Sequence, residues 1–109
     1  MRFTKSIAAI TLLTLLGVQA SAVTLVQDGK ASSVIVIGDD ANGASQIGAD
    51  EMQYHLKEMT GATVPIRSAK EVDESSEAAM ILIGGSAATE SLGIDPSNLE
   101  PEGFLVRTV

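Results

Sequence analysis

The chain has 109 residues, of which 45% are apolar, 19% charged and 3% aromatic, and its formal net charge is −7. This length accommodates a single domain. The excess of acidic residues argues against a nucleic-acid-binding protein, which needs clustered Lys and Arg to replace the counterions around phosphates. The sequence contains no cysteine, which excludes a disulfide scaffold, a thiolate nucleophile and a cysteine-based zinc site.

Residues 1–22 are predicted to form a secretory signal peptide. Arg2 and Lys5 give a short positive start, and an apolar run follows over residues 7–18. Ala20-Ser21-Ala22 then supplies the small-x-small pattern of a cleavage site, so cleavage is expected after Ala22. The apolar run is shorter than the roughly 20 residues that span a bilayer, which argues against a membrane anchor. We therefore expect an exported protein, periplasmic or extracellular, with no membrane contact after cleavage.

The remaining domain, residues 23–109, opens with strand signals. Thr24–Gln27 is a strand candidate, and Asp28-Gly29 is a strong turn signal. Ser33–Ile37 is a continuous, mostly β-branched run, which predicts a strand covered on both faces. A polar loop over residues 39–43 follows it.

A helix is predicted from about Ala44 to Met59. Thr60-Gly61 supplies the glycine that favours a left-handed cap at the end of a helix. Apolar or small residues recur every three or four positions, which predicts one buried stripe with Ile47 at its side. The stripe consists of Ala44, Gly48, Met52, Leu56 and Met59.

The second half of the chain alternates between strand and helix signals. Proline cannot donate to a central ladder, so Val64-Pro65-Ile66 is predicted to be an edge strand. An exposed loop over Lys70–Glu77 is followed by a predicted buried strand over Met80–Ile83, which Gly84-Gly85 stops. A short helix over Ala87–Leu92 comes next, capped by Ser86 and closed by Gly93. A loop at Asp95-Pro96 and Glu100-Pro101 then leads to a last predicted strand, which opens at Phe104–Val106.

These elements predict an α/β domain that is α+β sandwich-like: a small mixed β-sheet with one long and one short helix packed on it. The last predicted strand reaches Val109 without a cap or a polar tail. Because domains usually end in exposed polar segments, we expect this domain to continue beyond Val109.

Two glycine loops resemble phosphate-binding loops in their position between a strand and a helix. The first, Gly38–Gly43, lacks the Lys-Ser/Thr pair and places Asp39 and Asp40 where an anion would sit. It is interpreted as a plain connection. The second, Gly84-Gly85-Ser86, lacks the rest of a dinucleotide fingerprint, so its glycines are interpreted as sites of close backbone packing.

No catalytic, cofactor-binding or metal-binding residue is assigned from the sequence. Glu51, His55 and Glu58 share one helix face, but the chain has a single histidine, so a solvated Glu51–His55 pair is the favoured interpretation. The acidic residues lie mostly in loops, and nothing places two of them on facing elements as glycoside hydrolysis requires. The sequence also lacks a nucleophile-elbow motif.

The predicted long helix carries a family resemblance. The segment from Gly48 to Ala62, GADEMQYHLKEMTGA, resembles the "AA-x-EL-x-x-YL-x-x-MTGA" helix in the N-terminal domain of family 67 α-glucuronidases. A similar helix occurs in the non-catalytic α/β domain that precedes the barrel of family 20 β-hexosaminidases. The flanking segments Val64-Pro65-Ile66, Ile81–Gly84 and Glu102–Phe104 agree, so the resemblance covers about residues 24–109. Gly48 stands where the family prefers Ala, and His55 where it prefers Tyr or another large residue.

The resemblance implies a non-catalytic accessory domain of an exported glycoside hydrolase that degrades polysaccharides of the xylan type. In these families the domain packs beside a (β/α)₈ barrel that holds the catalytic carboxylates, and no residue of this chain matches them. The implied partner is therefore the catalytic barrel, with carbohydrate bound only indirectly and no cofactor. The alternative is a free-standing secreted or periplasmic binding or interaction module.

Overall fold

The structure is a computed structural model that describes residues 22–73, 75 and 79–109. The predicted signal peptide therefore lies outside the described residues, apart from Ala22. The described chain is a small α/β fold with two sheets and one long helix. Its strands are β1 (Val26–Gln27), β2 (Lys30–Ala31), β3 (Val34–Ile37), β4 (Ile66–Ser68) and β5 (Met80–Ile83), and its helices are α1 (Gly43–Thr60) and α2 (Ala87–Ser91).

The first sheet is a two-stranded antiparallel hairpin, β1–β2, that turns where the sequence predicted. Asp28 and Gly29 at its tip both have positive φ, 52° and 74°. Two successive residues in this region match the twist of a tight hairpin, and Asp and Gly tolerate the conformation best. Beyond the hairpin, the Ser33 hydroxyl donates to the Leu25 carbonyl at 2.9 Å, which ties the hairpin to the start of β3.

The second sheet has three parallel strands in the order β4-β3-β5. The central strand, β3, is flanked on both sides, and Ile35 at its middle is completely buried. The predicted edge strand is present at β4, but it begins after Pro65 instead of including it. We expected one mixed sheet, whereas the parallel and antiparallel pairings are divided between two sheets.

Helix α1 begins and ends almost where the sequence predicted. At its start, the Asn42 side chain accepts a hydrogen bond from the Ser45 amide at 2.9 Å. At its end, Gly61 adopts a left-handed conformation with φ 78°, and its amide donates to the Lys57 carbonyl at 2.7 Å. Both ends are therefore stabilised by local hydrogen bonds that satisfy free backbone groups.

The buried face of α1 is the feature that the apolar pattern predicted incorrectly. Leu56 is buried as expected, but Ala44 is exposed and Met59 is 73% exposed. Ala49 is buried in their place, and the half-buried Gln53 donates to the Val64 carbonyl at 2.8 Å. The physical reason is close packing of the helix on the sheet. The helix lies close to β5 on this face, since a Cβ added at Gly48 would make an ordinary van der Waals contact with the Ile83 side chain at 3.5 Å.

The core lies between α1 and the sheet. Leu56 and Ala49 of the helix pack with Ile35 of β3 and Val64, and half-buried residues of the hairpin and the outer strands surround them. Burying a Leu, Ile or Val side chain stabilises the fold by about 1.5–3 kcal/mol relative to leaving it in water. The core is small, as expected for a chain of this length.

The C-terminal quarter agrees with the sequence in its helix and departs from it afterwards. Helix α2 begins at a capping box in which Ser86 and Thr89 exchange hydrogen bonds, and the chain turns at Gly93 with φ 73°. A single turn of 3₁₀ helix follows at Pro96–Asn98. The described residues Phe104–Val106 form no strand and are exposed, so the strand predicted there is wrong.

Candidate functional site

A cleft of about 470 Å³ lies at the carboxyl ends of the parallel strands. Strands β3 and β5 run in the same direction, so the loops that follow them meet at one edge of the sheet. In open α/β sheets ligands bind outside this edge. The cleft opens on the face of the sheet opposite α1, because Val36 lines it while its neighbours Ile35 and Ile37 point into the core.

The two glycine loops noted in the sequence meet at this cleft. Gly38 follows β3 and Gly85 follows β5, and both line the cleft. A Cβ added at Gly38 would lie 2.5 Å from the Gly85 carbonyl oxygen. Gly84 has φ 74°, and a Cβ added there would collide with the Ser45 side chain of α1. Close backbone packing therefore accounts for Gly38, whereas Gly84 is explained by its left-handed backbone and the Ser45 side chain, and a Cβ added at Gly85 would meet only Pro96 at 4.0 Å.

The polar groups around the cleft are mostly acidic. Asp39, Asp40 and Glu90 are exposed, and Lys70 is the basic residue among the described residues that line the cleft. The Asp39 carboxylate accepts a hydrogen bond from the Lys70 backbone amide at 3.1 Å, which holds the loop after β3 against the 3₁₀ turn at Ala69–Glu71. Carboxylates at this edge oppose the binding of phosphate groups.

The helix-face cluster is a solvated pair. The His55 ring nitrogen lies 3.4 Å from the Glu51 carboxylate, and these side chains are 64% and 66% exposed. The Tyr54 ring meets His55 edge to face, with centroids 5.3 Å apart. Exposed pairs of this kind contribute at most about 1 kcal/mol. Across the described ranges, no group of three or more His, Cys, Asp or Glu is arranged to hold a metal ion.

Two carboxyl groups have a pKa below the usual value of 3.8, and both belong to exposed turns. The Ser97 hydroxyl donates to the Asp95 carboxylate at 2.6 Å, and the Ser97 backbone amide donates to it at 2.9 Å. Both hydrogen bonds lower the pKa of Asp95, the hydroxyl bond more than the amide bond. Ser75 donates to Asp73 through the same two groups at 2.6 and 3.0 Å and lowers its pKa in the same way. Hydrogen bonds to the charged form favour it. These shifts stabilise turns and do not create a general acid.

A second and larger cavity, of about 710 Å³, runs along the outer side of β5. We call it the β5 groove; its walls include Leu25 and Met52 on one side, Leu92 and Ile94 on the other, and residues 105–109. Among the described residues that line it, Arg107 is the charged one and none is acidic. The sequence pointed to the apolar strand Met80–Ile83, but not to the groove, which depends on what lies beside that strand.

Comparison of the chain with known proteins identifies no relative. No protein-family model matches the chain, and neither the curated proteins nor the solved structures give a significant match. In the described part of the chain, no helix is both long and apolar enough to cross a membrane.

Proposed function

We propose that this chain is a non-catalytic accessory domain of an exported, α-glucuronidase-like glycoside hydrolase. The observation that carries the proposal is the motif from Gly48 to Ala62, which resembles the corresponding helix of that family. In the structure this motif lies within α1 and its glycine cap. The residues of this motif determine how the helix packs and where it ends. An accessory domain would share this packing and this helix end with its relatives.

The β5 groove supports an accessory role over an independent enzyme. The chain has 14 acidic residues, yet none of the described residues lining the groove is acidic. Charged residues are depleted and apolar residues enriched in the cores of protein–protein interfaces. An apolar groove with Arg107 as the charged residue among its described lining, on a strongly acidic domain, therefore suits contact with another protein surface, such as the catalytic barrel that the resemblance implies.

The acidic cleft at the strand ends favours the second candidate, a free-standing secreted or periplasmic binding module. Asp39, Asp40 and Glu90 surround a cavity large enough for a small ligand, at the sheet edge where such folds bind their ligands. Their carboxylates can accept hydrogen bonds from the hydroxyl groups of a neutral sugar. This candidate requires direct ligand binding by the isolated chain, whereas the accessory role does not.

Sequencing the genomic locus past the codon for Val109 distinguishes the two candidates. A reading frame that continues for several hundred codons and encodes a barrel with two carboxylates supports the accessory role. A stop codon directly after Val109 refutes that role. Titrating the chain with neutral xylo-oligosaccharides by calorimetry, together with a hydrolysis assay on glucuronosyl xylo-oligosaccharides, completes the test. Binding without hydrolysis would favour the module, and hydrolysis by this chain alone would refute both proposals.

A further inference from the structure

Asn42 and Gly43 place a carboxamide next to an accessible backbone nitrogen. A bond from the Gly43 nitrogen to Asn42 Cγ would close a five-membered ring, whose other members are the Asn42 Cβ, Cα and carbonyl carbon. Both residues are exposed, and a Cβ added at Gly43 would meet nothing within 4 Å. Gly43 is the first residue of α1, so its amide has no carbonyl partner within the helix. The two groups that would react are therefore both open to water.

The start of α1 nevertheless holds these groups away from the geometry of ring closure. Asn42 has φ −71° and ψ 170°. In this extended conformation the Gly43 nitrogen is anti to the Asn42 nitrogen and gauche to Asn42 Cβ, whereas a planar five-membered ring needs it eclipsed with Cβ. The Asn42 side-chain oxygen also accepts from the Ser45 amide at 2.9 Å. The ring closes only after this helix cap opens.

Asn98, the other asparagine of the sequence, has a different environment. It is also exposed, and it ends the 3₁₀ turn at Pro96–Asn98. The residue after it is Leu99, whose side chain crowds the backbone nitrogen. The Leu99 amide also donates to the Pro96 carbonyl at 3.1 Å. The nitrogen that would attack Asn98 is therefore both hindered and hydrogen-bonded.

We propose that Asn42-Gly43 is a site of spontaneous covalent modification, deamidation through a cyclic imide, whose rate is set by the helix cap. The Gly43 nitrogen attacks Asn42 Cγ, the bond from Cγ to the side-chain nitrogen breaks, and the Gly43 proton leaves with that nitrogen as ammonia. Water then opens the ring. Attack at Cγ gives aspartate, and attack at the backbone carbonyl carbon gives isoaspartate, in which the main chain runs through Cβ.

The two products have opposite effects on α1. Aspartate keeps an oxygen that accepts from the Ser45 amide and places a negative charge at the positive end of the helix. Isoaspartate adds one carbon to the main chain and moves its free carboxylate out of register with that amide. The first turn then loses its cap. Ser45 of this turn packs against Gly84, where an added Cβ would collide with it, so isoaspartate loosens the contact between α1 and the loop after β5.

Ageing the full chain in mildly alkaline buffer, with and without concentrated urea, tests the proposal. Mass spectrometry of peptides locates the conversion of amide to acid, and fragmentation distinguishes aspartate from isoaspartate. We expect both products at Asn42, while Asn98 stays an amide. Because the cap must open first, conversion in buffer should be about fivefold slower than in urea.

Gly43→Ala is the variant that separates the reaction from folding, since its methyl group hinders the nitrogen and meets no neighbour within 4 Å. It should slow the conversion of Asn42 severalfold in buffer and in urea alike. Equal rates in buffer and urea would overturn the proposal, as would conversion of Asn98 at the rate of Asn42. Conversion unaffected by Gly43→Ala, or none in buffer over many half-lives of the reaction in urea, would also overturn it. These outcomes are independent of the proposed function, because the reaction needs only this chain and water.

Discussion

Replacing Gly38 by alanine tests the close packing of the two loops at the strand ends. Gly38 is buried and its φ is not positive, so the backbone itself accepts an alanine. The new Cβ, however, would lie 2.5 Å from the Gly85 carbonyl oxygen. Because the obstacle is backbone and cannot rotate away, the ends of β3 and β5 must separate to admit the methyl group.

The expected cost of Gly38→Ala is that of inserting one methyl group into a packed interior, about 1–3 kcal/mol. In a domain of 60–100 residues, each kcal/mol lowers the melting temperature by about 4–8 °C. The measurement is urea unfolding followed by far-UV circular dichroism, with a thermal melt of the same samples. We expect a lower urea midpoint with an unchanged dependence of the unfolding free energy on urea.

Gly43→Ala is the matched control, since it makes the same chemical change a few residues further along the chain. Gly43 is the first residue of α1, and a Cβ added there meets nothing within 4 Å. Alanine restricts the unfolded chain and favours the helix, so this variant is expected to gain up to about 1 kcal/mol. Equal stability of Gly38→Ala and the unmodified chain, or equal losses in both variants, would refute the packing argument.

Three further predictions address the helix face, its cap and a turn. Leu56→Ala is expected to lower the free energy of unfolding by about 2–5 kcal/mol because Leu56 is buried. Met59→Ala, at a position that is 73% exposed, should change it little. Comparable losses in the two variants would contradict the observed helix face. Asn42→Ala removes the cap that accepts from Ser45 and is expected to cost about 1 kcal/mol in urea unfolding, whereas Asn42→Asp keeps an acceptor and most of the stability. An NMR titration should give Asp95 a pKa below 3.8, and Ser97→Ala should raise that pKa towards 3.8, because Ser97 supplies the hydroxyl hydrogen bond. Because the folded-state pKa is lowered, any stabilisation linked to Asp95 is present above the unfolded value and is lost as the pH falls through the folded pKa; an Asp95 pKa unaffected by Ser97→Ala would contradict the assignment.

The candidate site could be predicted only in part. The sequence predicts the loops at Gly38 and Gly84-Gly85, because each joins a strand signal to a helix signal. Their juxtaposition required the parallel pairing of β3 with β5, which brings segments nearly fifty residues apart to one sheet edge. The sequence pattern placed Gly84-Gly85 at the end of a strand, whereas the meeting of Asp39, Asp40 and Glu90 at one cleft emerged only from that topology.

The sequence by itself determined the local features of this protein. The turn at Asp28-Gly29, the ends of α1 and the capping of α2 by Ser86 were all predicted. They depend on backbone conformation and on hydrogen bonds between residues a few positions apart, so the information lies within a short stretch of chain. The apolar runs at β3 and β5 predicted buried strands equally clearly, because few arrangements other than a strand inside the sheet can bury such runs.

Only the tertiary structure decided which face of α1 is buried, how the strands are ordered and what lies beside β5. Met59 fits the helical apolar period but remains exposed, while Ala49 and Gln53 face the sheet. The sequence of a helix shows which of its faces are apolar. The sheet on which the helix packs selects one of these faces by shape, and here the close approach of α1 to the sheet favoured small residues. Likewise, the strand-like segment at Phe104 forms no strand, because strand propensity alone does not fix backbone pairing.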